Sequence, residues 1–297
     1  MTGLRRILAA TDLSAPAHHA LNRAFHIAAE SGAQLTLMHA LSNGGMDALR
    51  GLLGAEAPKV EQYIIDEACD VLRGTAAELG QSCGVSAAVR ISTGDPLREI
   101  LDQADALDVD LLVLGACGEG FLRHLLLGST VERLLRKTIR PVLVVRRLPH
   151  EAYRRVLVPV DFAPCSVPAL QAARVLSPEA EIVVLHAFSL PFEGKLRYAG
   201  VSDESVRDYR LAERNAAYSQ TQALVADAGI GDRVRIVVRH GDPFTLIREV
   251  GQQESCDLIA LGKHGRNMLE EMLLGSVTKH VVAEADCDVL VVGSASR

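Results

Sequence analysis

Two glycine and hydroxyl clusters share one spacing: Gly115-x-x-Gly118, nine residues, then Gly128-Ser129, and Gly262-x-x-Gly265, nine residues, then Gly275-Ser276. Glycine lets the chain take up positive φ and bring its N–H groups against a ligand. The first turn of a helix adds N–H groups without intrahelical partners and the positive end of a dipole. The chemistry this favours is anion binding, phosphate above all. Ser129 with Thr130, and Ser276 in the second copy, stand where a helix N-cap would fall and supply further hydroxyl contacts. One glycine-rich turn serves chain reversal as readily as binding; two with identical internal spacing are much harder to ascribe to chance.

Each cluster follows a short apolar run and precedes a stretch of helical periodicity, so it sits where a strand hands over to a helix. An offset of 147 residues superimposes the clusters and also pairs His39 with His186, Gly94-Asp95-Pro96 with Gly241-Asp242-Pro243, and Asp110 with Asp257. With a gap of two, Asp12 pairs with Asp161. One domain is therefore duplicated, with boundaries expected at 1–148 and 152–297. Strands are predicted at Arg6 to Thr11, Gln34 to Ala40, Val85 to Ile91, Asp110 to Gly115 and Pro141 to Arg146. In the second half they fall at Arg155 to Val160, Glu181 to Phe188, Arg233 to Arg239, Asp257 to Gly262 and Asp288 to Gly293. Five strands alternating with helices imply an α/β fold, two tandem doubly wound domains whose five-stranded parallel sheets are covered on both faces. Leu111-Leu112-Val113-Leu114 has the continuous apolar character of a strand buried on both sides.

Asp95 and Asp242 read as helix caps, each followed by a proline at the first helical position. Asp12 and Asp161 end the first strand of each half, on the sheet edge where open α/β folds bind ligands. There a carboxylate accepts from ribose hydroxyls or an adenine amino group; the alternative is an N-cap for the next helix. His39 and His186 end apolar strands and read more readily as packed, hydrogen-bonded residues than as catalytic bases. His18 and His19 are neighbours on a predicted helix and point apart, so no metal is assigned. No nucleophile elbow, zinc-protease helix or P-loop signature occurs, so no catalytic residue is assigned and fast ATP hydrolysis is not expected.

The chain has 297 residues, 48% hydrophobic and 23% charged, as two compact domains require. A net charge of −6 argues against general nucleic-acid binding. No apolar run reaches a membrane span and Met1 to Arg6 leads straight into a strand, so the expected location is the cytoplasm. Six scattered cysteines, with no Cys-x-x-Cys, indicate neither a disulfide framework nor a zinc site.

With these residues assembled, the chain resembles the universal stress protein family in its tandem, nucleotide-binding form. The likeness covers nearly the whole chain and includes Leu-His-Ala at the end of the second strand and the closing Pro141-Val142-Leu143-Val144-Val145. The resemblance implies a Rossmann-like, adenine nucleotide α-hydrolase-like domain with strand order 3-2-1-4-5 and ATP, with Mg2+ as a companion ion, across the ends of strands one and four. It further implies that Ala40 and Ala187 contact adenine through their backbones and that Asp12 and Asp161 hold base or ribose. The phosphates would then lie on the glycine loops and the helix starts at Ser129-Thr130 and Ser276-Val277.

The second loop reads Gly262-Lys263-His264-Gly265-Arg266-Asn267 and offers cations to a triphosphate, whereas the first carries Glu119 after Gly118, with Arg123 and His124 as partial compensation. The second half is therefore expected to bind ATP more tightly. Ser42 to Lys59 reads as a glycine-rich loop, and the insertion after Ser189 carries Phe192 and Tyr198. Edge strands at the end of each half and a short connection predict an intrachain pseudo-two-fold pair, with room for further homo-oligomers. The function this supports is a nucleotide-dependent stress or regulatory protein with a protein partner. The alternatives are a slow ATP-hydrolysing or adenylate-transferring enzyme and a scaffold that binds nothing.

Overall fold

The computed structural model describes residues 3–116, 127–149, 151–190, 201–265 and 273–293. The chain divides into two units, Met1–Ala152 and Tyr153–Arg297. The first runs β1 (Arg6–Thr11), α1 (Ala15–Ser31), β2 (Gln34–Ser42), α2 (Asn43–Leu53), a 3-10 turn (Gly54–Glu56), α3 (Ala57–Cys83), β3 (Ala87–Gly94), α4 (Pro96–Ala106), β4 (Leu111–Gly115), α5 (Ser129–Lys137) and β5 (Val142–Val145). The second runs β6 (Arg155–Val160), α6 (Ser166–Leu176), β7 (Glu181–Phe188), α7 (Asp203–Ala228), β8 (Val234–His240), α8 (Pro243–Gln253), β9 (Leu258–Gly262), α9 (Ser276–Glu284) and β10 (Asp288–Val292).

Within the first unit the parallel sheet has the order β3-β2-β1-β4-β5, and within the second β8-β7-β6-β9-β10. Both follow the expected 3-2-1-4-5 pattern. In each the chain first winds outward from the central strand and then crosses back to its other side, leaving a crevice at the carboxyl ends of β1 and β4, or β6 and β9. Ile7, Leu8, Leu37, Leu112 and Leu143 are wholly buried in the first sheet, as Val156, Leu157, Ile182 and Leu258 are in the second. Burial on both faces is why these strands read as unbroken apolar runs.

A carboxylate ties the opposite end of each sheet. Asp110 accepts from the N–H groups of Arg5 and Arg6, both at 2.9 Å. Asp257 accepts from those of Arg154 and Arg155 at 2.7 and 3.2 Å. The first strand of each unit is thereby registered against the fourth. Asp257→Ala orphans two backbone donors and is expected to cost about 1–3 kcal/mol, read by chemical denaturation of the full chain.

Asp95 and Asp242 cap α4 and α8, accepting from the N–H groups of Arg98 (3.0 Å) and Thr245 (2.9 Å). Asp242 also accepts from the Thr245 hydroxyl at 2.9 Å. These Thr245 bonds, the backbone one foremost, hold the Asp242 carboxyl below its ordinary range. A depressed folded value means that the cap contributes stability above the unfolded carboxyl pKa and loses it as pH falls through the folded one. Asp242→Asn is therefore expected to flatten the acid limb of the stability profile while changing neutral stability less than Asp242→Ala does.

Several strand ends shift by one to three residues from the sequence reading, and two differences have a local cause. Residues 43–53 form a helix where a loop was expected. The Ser42 hydroxyl caps it through Gly45 N–H, Met46 is buried, and Arg50 pairs with Asp47 and with Glu61 of α3. Two of its three glycines, Gly44 and Gly45, fall in the first turn beside the cap, and the later contacts outweigh their low helix propensity. Strand β3 starts at Ala87 rather than Val85 because Gly84, in the left-handed region at φ 69, ends α3 and turns Val85 N–H back onto Gly80 carbonyl.

Candidate functional site

Both crevices are built the same way. At the end of β4 the N–H of Ala116 donates to Val145 carbonyl (3.0 Å) and the Ala116 carbonyl accepts from Gly128 N–H (2.9 Å). At the end of β9, Lys263 N–H donates to Val292 carbonyl (2.8 Å) and Lys263 carbonyl accepts from Gly275 N–H (3.0 Å). These bonds aim the N-termini of α5 and α9 into the crevice. Gly128, in extended conformation, and Gly275, at φ −57 and ψ 147, are the N-cap residues, and neither helix has a side-chain cap. This corrects the expected hydroxyl cap: Ser129 and Ser276 are the first helical residues. A glycine cap cannot satisfy the first-turn N–H groups with a side chain, which leaves that work to whatever lies in front of the helix.

The aspartates are oriented by the turn that follows them. Asp12 Oδ1 accepts from Ser14 N–H and Asp161 Oδ1 from Ala163 N–H, each at 3.1 Å, two residues on. The residues in between, Leu13 and Phe162, are left-handed at φ 65 and 63, an uncommon state for bulky side chains. The capping alternative falls to other residues. Ser14 caps α1, and α6 begins after Cys165 without a side-chain cap. Asp161 Oδ1 also accepts from the Ser166 hydroxyl at 3.3 Å.

Glycine is required where these parts meet. A Cβ on Gly262 would lie 2.6 Å from the Cβ of Cys165, so only glycine admits the start of α6 so close to β9. A Cβ on Gly265 would lie 2.9 Å from Asp161 Oδ2, so this loop glycine rests against the carboxylate. The Thr278 hydroxyl donates to the Gly262 carbonyl at 2.8 Å and fixes α9 to the strand end.

A cavity results in each unit. That of the first is about 270 Å3, with Asp12, Ala40, Gly115, Gly128, Ser129 and Thr130 among its lining residues. That of the second is about 310 Å3, with Asp161, Ala187, Gly262, His264, Gly265, Gly275, Ser276 and Val277 among them. Apolar walls come from Met38, Ile100 and Leu114 in the first, and from Leu185, Ile247 and Leu261 in the second. Lys263 departs from the expectation that it faces phosphate: it is 3% exposed and does not line the cavity. Its neighbour His264 lines the cavity instead. Gly118, Arg266, Asn267, Cys117, Glu119, Arg123, His124, Phe192 and Tyr198 lie outside the described residues.

His39 and His186 do not face these cavities. Each sits between two lining residues of its strand, Met38 and Ala40 or Leu185 and Ala187, and so points to the other sheet face. Their Nδ1 atoms bond the carbonyls of Thr11 (2.8 Å) and Val160 (2.9 Å). Among the described residues no group of three or more His, Cys, Asp or Glu is arranged to hold a metal ion, and no helix is long and apolar enough to cross a membrane.

Two aspartates, two uncapped helix starts and two glycine loops form a duplicated arrangement, and comparison with known proteins finds the same duplication. The profile of the universal stress protein family matches residues 3–146 and again 152–293. The chain belongs to the universal stress protein family. A universal stress protein of Mycolicibacterium smegmatis is 28% identical over 296 residues, covering 96% of each chain. One from Mycobacterium tuberculosis is 28% identical over 270 residues, covering 86% of each. Among solved structures, a universal stress protein from Archaeoglobus fulgidus has a TM-score of 0.65 at 18% identity, covering 97% of this chain and 98% of its own. At that identity the likeness speaks to the fold. For this universal stress protein, Ser166, Cys165 and Thr278 were not singled out from sequence. Ser166 alone left a trace there, a hydroxyl five residues after an aspartate.

Proposed function

We propose that this universal stress protein binds an adenine nucleotide, ATP in the first instance, in each of its two cavities and uses it to regulate a protein partner. The observation that carries the reading is the uncapped N-terminus of α9 beside Gly265, with Asp161 against that glycine. Amide donors beside a carboxylate, in a cavity of about 310 Å3, suit a ligand with anionic groups at one end and hydroxyls next to them. The apolar wall by Ala187 and Leu185 suits a planar base, which gives adenine a place at the far end. The glycine cradle fits such a ligand, since a side chain at 265 would run into the Asp161 carboxylate. Mg2+, which the family resemblance implies, would be held chiefly by the phosphates, as that ion usually is.

Regulation is favoured over turnover because His39 and His186 bond backbone carbonyls and point away from the cavities, which leaves His264 as the one histidine among the described lining residues. Purified protein is expected to release adenine nucleotide on denaturation, read by mass spectrometry. Added ATP is expected to raise the melting temperature, since saturation at 100 times Kd stabilises by about 2.7 kcal/mol. Neither effect would leave the scaffold reading.

The second unit is the tighter site in this proposal. With Lys263 buried, the difference rests on His264 at the wall and on the first helical turns. That of α5 carries Glu132, paired with Arg136 at 2.6 Å, while that of α9 carries Lys279 in the corresponding place and no acid. A charge near a helix start is worth about 0.3–1 kcal/mol, so Glu132→Lys is expected to tighten the first site several-fold by calorimetry. Unchanged affinity would assign the asymmetry elsewhere.

A further inference from the structure

We infer that the outer edge of β3 is a docking site, where an extended, acidic segment of a partner protein joins the first unit's sheet as an added strand. The inference stands apart from the nucleotide reading, since no residue of β3 lines either cavity. β3 ends its sheet and pairs with β2 alone. Alternate residues of such a strand turn both N–H and C=O away from their one neighbour, so its eight residues leave about four of each unpaired. No proline interrupts the strand, and Ala88, Arg90 and Thr93 are exposed along it.

A groove of about 470 Å3 runs between this strand and the end of α3. Ala87 and Val89 line it from β3, and Ala76, Ala77 and Gly80 line it from the helix. These side chains are small, which leaves room for those of an incoming strand. Added strands use an edge in this way, bonding its free backbone groups and setting alternate side chains into pockets beside it. Charge decides what enters. Arg73 also lines the groove, no acid does, and the Arg73 contact with Asp70, 3.8 Å in the open, is worth little. Arg90 stands on the other face of the strand, as the only charge in Ala87–Gly94, and pairs with no acid among the described residues. Both faces of an added strand thus meet an arginine, which an acidic segment matches. Towards the carboxyl end Glu99 lies over Gly94 and Asp95 caps α4, so the incoming acids belong opposite the first half of β3. A second copy of the chain fits poorly. Two β3 edges paired about their midpoints would bring Arg90 beside its own copy, and like charges there are destabilising. The end strand of the second unit, β8, has its arginines engaged already: Arg235 pairs with Glu181 and Glu254, and Arg239 donates to Gln253. The first unit is therefore the one that docks.

The test uses the full chain and two labelled peptides about as long as β3, one alternating glutamate with valine and the other lysine with valine, read by fluorescence anisotropy. The glutamate peptide is expected to bind about tenfold more tightly than the lysine peptide. Arg90→Glu is expected to weaken the first about fivefold and to strengthen the second by a similar factor, a gain that misfolding cannot produce. Bound glutamate peptide is expected to slow amide hydrogen exchange in residues 87–94 and to leave β8 unchanged. Binding without that protection would put the peptide elsewhere and overturn the inference, as would equal affinity for the two peptides or no binding of either. Self-association that protects residues 87–94 without peptide would give the edge to a second copy, and would overturn it as well.

Discussion

Placing glutamate at Ser276 is expected to abolish ATP binding to the second unit while leaving its fold unharmed. Ser276 is the first residue of α9, follows the glycine cap and lines the cavity. A carboxylate there enters the space assigned to the phosphates. Two unit charges about 5 Å apart at an effective dielectric near 20 repel by about 3 kcal/mol, more than a hundredfold in Kd. The helix is not the casualty, because acidic residues in the first turn favour the dipole. Loss of binding without loss of melting temperature is therefore the signature, and Ser276→Ala is the control, costing only a hydroxyl contact. The glycine beside it behaves differently. Gly275 has φ −57 and ψ 147, which alanine adopts readily. Its added Cβ would lie 3.4 Å from Lys263 carbonyl and 3.6 Å from Gly265 N, contacts that small adjustments absorb. Gly275→Ala should weaken ATP only several-fold by narrowing the cup. If Ser276→Glu binds ATP as well as the parent does, phosphate does not sit at this helix start.

How far the sequence reaches depends on whether a residue's role is local. Asp95 and Asp242 are read from Gly-Asp-Pro alone, because a cap is decided within four residues, and both cap their helices. The buried strands are equally plain, since burial on both faces leaves no polar alternation to disguise them. The duplication adds more, for two weak glycine patterns at one spacing make a stronger statement than either does alone. Residues whose role depends on another element are the ones missed. Lys263 reads as a phosphate ligand by charge, yet its carbonyl is held by Gly275 and its N–H by Val292, and that backbone path turns the side chain inward. Ser42 caps a helix that two following glycines disguise, and the burial of Met46 and the Arg50 to Glu61 pair that sustain it are not visible in the local sequence. Ser129 and Ser276 are one position off because a glycine, not a hydroxyl, ends the loop. Leu13 and Phe162 give no sign of their left-handed backbone, which follows from the aspartate folding back onto the chain two residues ahead.

The contact between Gly262 and Cys165 separates two reasons for a glycine. A glycine at a strand end is usually attributed to a positive φ or to ligand access. Gly262 is the last residue of β9 and is not among the positive-φ glycines, so backbone freedom is not the reason. Its absent side chain is filled by Cys165, whose Cβ stands 2.6 Å from the position a new Cβ would take. Gly262→Ala must push α6 off β9, and overpacking of a buried contact costs about 1–3 kcal/mol. The same displacement moves Ser166 and Asp161, so nucleotide affinity in the second unit should fall along with stability. A role in ligand access alone predicts lost affinity at unchanged stability. Cys165→Gly removes the clashing atom and tests the difference. By itself it weakens the start of α6 modestly; combined with Gly262→Ala it should cost less than the two single changes together, a coupling of about 1–2 kcal/mol in a double-mutant cycle read by denaturation. Simple additivity would mean that the strand end and α6 do not press on one another, and Gly262 would then answer to the ligand instead.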